Sequence, residues 1–166
     1  VHPGVLLLAL ASNQRAMAKG EVTYMTKEIP VSRLVNSFMP ALSELGSVPM
    51  SGAVANAIRK NARQLEIAFA EWNHEQNKIL KDYAELDEGG KPIVVTSEKG
   101  ERKVKFKTPE GEAEYNKRWE DEFAKSISVM IAVVPSRLLD NINGVKPVLL
   151  AAIQYMIEED VVPSSK

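Results

Sequence analysis

Cysteine is absent from all 166 residues, which excludes disulfides, zinc ribbons, iron–sulfur clusters and thiol nucleophiles within the chain. A cytoplasmic location is the simplest match to that absence. Histidine is nearly absent too: His2 and His74 are too few for a multi-histidine metal centre, and they leave little room for a histidine-based triad. His74-Glu75 does not open a zinc-protease motif, because Lys78 stands where the second histidine would be needed. Gly89-Gly90 lacks the strand-to-helix setting, the lysine and the hydroxyl of a phosphate loop. Charge of one sign is missing as well. A formal charge of -1 gives no global attraction to nucleic acid or to an anionic membrane, so bulk binding to either is not expected.

Long apolar runs are also lacking. The stretch over 5–11 falls far short of the roughly 20 residues that span a bilayer, and no basic region precedes it as in a secretory signal. Residues 1–20 are expected to form an extension that is either flexible or not native; if it is not native, Met17 or Met25 is the expected start. The rest, 21–166, is expected to be a single domain, since 45% hydrophobic and 26% charged residues match a chain able to bury a core.

The expected class is α+β and mainly α: a long central helix, then a β-hairpin and two further helices. A mixed pattern before Pro30 suggests a strand or extended arm over 21–29. A first helix follows, burying Leu34, Val35, Phe38, Leu42 and Leu45, kinked or broken at Pro40 and ended by Gly46. The strongest signal is a helix over 51–87 with Ser51 as its cap. Ile58, Leu65, Trp72, Ile79 and Leu86 recur every seven residues, and so do Ala62, Phe69, Gln76 and Tyr83. These are the d and a positions of a heptad seam, in which Gln76 is the single polar member. About 36 helical residues would reach about 54 Å, longer than a compact domain of this size, so the helix must bend, project from the body or be covered by another chain, and cover by a second copy of this chain is the favoured expectation. The candidate oligomer contacts are Leu65, Phe69, Trp72, Gln76, Ile79, Tyr83 and Leu86.

Gly89-Gly90 is expected to stop this helix. A hairpin over about 93–107 should then turn at Lys99-Gly100, with Val104 and Phe106 on one side and Lys103, Lys105 and Lys107 on the other. Thr108-Pro109 opens a helix whose stripe is Tyr115, Trp119, Phe123 and Ile127. A strand is expected over 128–134, then a last helix from Pro147 burying Leu149, Leu150, Ile153, Met156 and Ile157.

Taken in order, several of these segments resemble a group of small helical proteins encoded by tailed phages and prophages. The matching features include Val31-Ser32-Arg33-Leu34, Ala57-Ile58-Arg59-Lys60-Asn61, Lys78-Ile79-Leu80-Lys81-Asp82-Tyr83, Glu120-Asp121-Glu122-Phe123 and Leu149-Leu150-Ala151-Ala152-Ile153. The resemblance implies a phage setting, hence the host bacterial cytoplasm, and carries over no activity.

Candidate site residues come from charge and ring clusters. Asn56, Arg59, Lys60 and Arg63 could clamp a phosphate, or could simply form a solvated helix face. Arg102, Lys103 and Lys105 could contact phosphates, or could protect a strand edge. Trp119 or Tyr115 could stack on a base. No catalytic residue, metal or cofactor is expected. The expected function is a non-enzymatic, homo-oligomeric accessory protein that sequesters a nucleotide immune signal. The alternatives are a protein–protein interaction or virion assembly factor and, held in reserve, an enzyme acting on a nucleotide.

Overall fold

A computed structural model describes residues 23–50, 52–140, 142 and 144–158. The expected cap Ser51 and the expected extension over 1–20 lie outside the described residues. The fold is mixed α and β, with one long helix and two small sheets.

Strand β1, Thr23–Pro30, runs directly into helix α1. Pro30 suits that junction because it has no amide to leave unpaired at a first helical turn. Helix α1 is continuous but uneven: Val31–Arg33, a widened π turn Leu34–Phe38, then Met39–Leu45. Pro40 explains the widening. Its ring would crowd the carbonyl four residues back and it offers no amide, so the ladder takes a five-residue step, with the Met39 amide donating to the Leu34 carbonyl. The expected kink is thus absorbed as a bulge. Leu34, Phe38, Leu42 and Leu45 still share one buried face.

The long helix α2, Gly52–Tyr83, spans about 48 Å at 1.5 Å per residue. It ends earlier than the heptad count requires. At Tyr83 its carbonyl accepts the Lys107 amide at 2.9 Å, and the chain then runs extended as the Glu85 amide donates to the Lys105 carbonyl. Leu86 is therefore not a helical seam residue: it pairs with Pro92 in a β-bridge and is exposed. Gly89-Gly90 does not stop the helix but turns the chain afterwards. Asp87 Oδ1 accepts the amides of Gly89 and Lys91, and Gly90 takes φ +75°.

Strands β2, Val94–Thr96, and β3, Arg102–Val104, make the expected hairpin, shorter than the pattern suggested. The Gly100 amide donates to the Ser97 carbonyl, and the Ser97 amide to the Glu101 carbonyl. Gly100 at φ +81° supplies the left-handed residue that such a loop requires.

Helix α3, Pro109–Ala124, starts as the sequence predicts, with Thr108 Oγ1 accepting the Gly111 amide at 3.0 Å. Strand β4, Ser126–Pro135, begins two residues before its expected start, so Ile127 belongs to the sheet and not to the helical stripe. Strand β4 is the middle of a three-stranded sheet, antiparallel to β1 and parallel to β5, Ile157–Glu158.

The last expected helix is likewise cut short. Helix α4, Pro147–Ala152, gives way to a 3-10 turn, Gln154–Met156, so that the chain can join β4 as β5. Leu149, Ile153 and Met156 are buried as expected, whereas Leu150 and Ile157 are only half-buried.

The core lies where α1, the first half of α2 and α4 meet β4. Phe38, Leu34, Leu42, Leu65, Val54, Ile131, Val133, Ile153 and Met156 are all sealed from solvent there. The second half of α2, with the hairpin and α3, forms an arm beside this core, and α3 has no fully buried side chain.

Candidate functional site

Helix α2 presents two different faces. Its inner face begins with Val54, Ala57, Ile58, Asn61 and Leu65, and resumes with Gln76 and Leu80. This set does not keep to the heptad. A straight helix drifts about 20° per seven residues from a 3.5 repeat, so by the fourth heptad Leu80 takes the buried place expected of Ile79. Ile79 is half-buried.

Asn61 is the residue that the heptad reading missed. It is fully buried, its Nδ2 donates to the Ala132 carbonyl at 2.8 Å, and its Oδ1 accepts the Ala132 amide at 2.7 Å. A side-chain amide thereby stands in for a strand on the edge of β4, just before β5 takes over at Val134. One signal was available: an amide residue set between Ile58 and Leu65, on the apolar side of the helix.

Trp72 and Tyr83 of the seam are met by α3 of the same chain. Trp72 lies 5.9 Å from Trp119 in an edge contact and 5.9 Å from Phe123, while Trp119 stacks on Phe123 at 4.7 Å. Phe69 stacks on Trp72 at 6.0 Å. A second ring group joins Tyr83, Tyr115 and Phe106, with the Tyr83 hydroxyl donating to Glu114 Oε1. Burial raises the pKa of the Tyr115 hydroxyl above the ordinary tyrosine value. Within this seam Gln76 Oε1 and Trp72 Nε1, one turn apart, have no protein partner among the described residues.

The expected phosphate ligands lie on the opposite, outer face. Arg59 and Arg63 are exposed and, among the described residues, have no ion-pair partner. Asn56 is half-buried beside them, and Lys60 lies over the Tyr24 ring, 5.6 Å from its centroid. The residues proposed to stack on a base are not near them. Trp119 meets α2 at Trp72, about 20 Å along the axis from Arg59 at 1.5 Å per residue and on the other side of the helix. Tyr115 is farther still. One chain therefore does not bring the phosphate candidates and the stacking candidates together.

The hairpin lysines divide similarly. Lys105 pairs with Glu85 at 2.7 Å, and Lys107 Nζ donates to the Asp82 carbonyl at the end of α2. Arg102 and Lys103 remain exposed. Among the described residues no group of histidine, aspartate and glutamate is arranged to hold a metal ion, and no helix is long and apolar enough to cross a membrane. No protein-family profile, curated protein or solved structure matches this chain.

Proposed function

We propose that this chain is a non-enzymatic, homo-oligomeric binding protein that acts through protein–protein contacts, in the phage accessory setting that its sequence resembles. The observation that supports this reading is the apolar surface left open on the arm. Leu86 and Val94 are 40% and 44% exposed, and the pairings Leu86–Pro92 and Val94–Val104 put them on one face with half-buried Val104 and Phe106. Apolar side chains gathered on one exposed face are what a partner protein covers. Affinity purification of the tagged chain from infected cells should return one stoichiometric host or virion protein. The Leu86→Ser/Val94→Ser variant should lose it while staying folded. Recovery of no stoichiometric protein would sink the reading.

The second reading, sequestration of a nucleotide immune signal, draws on the exposed guanidinium groups of Arg59 and Arg63, which have no ion-pair partner among the described residues. Its base-stacking partner would have to come from another subunit, given the distance to Trp119. Calorimetry against cyclic dinucleotides and cyclic ADP-ribose tests it, and silence across that panel removes it.

A further inference from the structure

The outer face of α2 carries a pattern that local helix physics does not favour. Arg59, Arg63, Ile67, Glu71 and Glu75 follow one another at steps of four, and all five are exposed. Residues four apart are neighbours on a helix, so Arg59 with Arg63 and Glu71 with Glu75 are like-charge pairs that weaken it. Little on the chain itself offsets this. Among the described residues Arg59, Arg63 and Glu71 have no ion pair, and Glu75 has an exposed one with Lys78 at 2.9 Å. Ile67, a large apolar side chain left 46% exposed, stands at the midpoint of Gly52–Tyr83. Sites where a sequence breaks local rules without an internal gain are the places to look for an external one.

The pattern is self-complementary. Steps of four form one continuous ridge, inclined about 26° to the helix axis. A two-fold axis perpendicular to that ridge and passing beside Ile67 reverses the ridge upon itself. It sets Ile67 against the partner copy's same position, Arg63 opposite Glu71 and Arg59 opposite Glu75. The uncharged Gln64 and Ala70 fall opposite one another. Every charge on the ridge then meets its opposite, and each pair occurs twice, as an isologous interface requires.

We propose that a second copy of this chain docks on the outer face of α2 in this antiparallel arrangement, with Ile67 on the dyad and Arg59, Arg63, Glu71 and Glu75 as the reciprocal ion pairs. The proposal rests on the homo-oligomeric reading above, and it places the contact on the face opposite the seam that α3 closes. It claims for self-association the arginines that the nucleotide reading assigns to phosphate.

Charge reversal tests it, with mass measured by sedimentation and light scattering over a concentration series. The wild type should dimerise, more weakly as salt rises. The Arg59→Glu/Arg63→Glu variant and the Glu71→Arg/Glu75→Arg variant should each dissociate at least tenfold more readily. An equimolar mixture of the two, and the fourfold variant carrying all the reversals, should recover the dimer. Because the sequence has no cysteine, Ile67→Cys adds a single thiol on the dyad, and a short bismaleimide should join two copies through it. Oligomers of unchanged mass in both charge-reversed variants would leave the homo-oligomeric reading standing and overturn this face. A wild-type monomer at every concentration would overturn both. A monomer that binds a cyclic dinucleotide through Arg59 and Arg63 would give those arginines to phosphate and overturn the dimer.

Discussion

Asn61 shows how one amide can hold two layers together. Its two polar atoms satisfy the amide and the carbonyl of Ala132, and its Nδ2 also reaches Met156 Sδ at 3.7 Å, so helix, strand and C-terminal segment meet at one side chain. Asn61→Ala leaves two buried backbone groups unpaired, and unsatisfied buried groups cost about 1–3 kcal/mol each. The expected loss is about 2–6 kcal/mol, read as a lower urea midpoint at unchanged slope. Asn61→Asp should be no milder, since a carboxylate repels the Ala132 carbonyl and is buried without a counter-charge. This residue was only half legible. An asparagine on an apolar helix face marks a buried polar contact, but its partner lies 71 residues away in sequence, where no local pattern points to it.

At the scale of elements, local chemistry was sufficient wherever a boundary depends on neighbours in sequence. Thr108 caps α3, Pro109 opens it, and Gly100 turns the hairpin, all as the residue types demand. Thr108→Ala should cost about 1 kcal/mol, the usual value of such a cap, and should lower the melting temperature with little change in the folded spectrum. Gly111 belongs to the same device, because a Cβ there would stand 3.0 Å from Thr108 Oγ1. Boundaries set by distant partners were misjudged. Helix α2 stops at Tyr83 because the hairpin takes its last carbonyl and the Glu85 amide, and α4 stops at Ala152 because β4 offers a place for a parallel strand. In both places hydrophobic periodicity ran on past the end of the helix.

Across the whole molecule, burial is uneven. Ile131 to Val134 are sealed in the core, whereas the strands of the hairpin are exposed or at most half-buried and α3 has no fully buried residue. Regions with few buried apolar contacts open without global unfolding. Hydrogen exchange should therefore find the amides of β4 among the slowest, and those of β2 and β3 at least about a hundredfold less protected. Equal protection in the two sheets would mean that the arm is buttressed by something other than its own chain. The long helix links the two regions. Its first half is core, its second half is closed by the rings of α3, and Arg59, Arg63, Ile67, Glu71 and Glu75 of its outer face stay exposed.

The sequence by itself determined the helical identity of α2, the cap of α3, the hairpin turn and the candidate charged residues, because these follow from spacing and from side-chain chemistry within a few positions. It also carried the Arg59 to Glu75 charge order, which is a property of one helix face. Tertiary structure decided which surface closes the seam, where α2 and α4 end, and that Arg59 and Trp119 stand far apart on opposite sides of a helix. Those outcomes depend on backbone groups and rings brought together over long sequence separations. Periodicity shows that a face must be covered but does not name the segment that covers it.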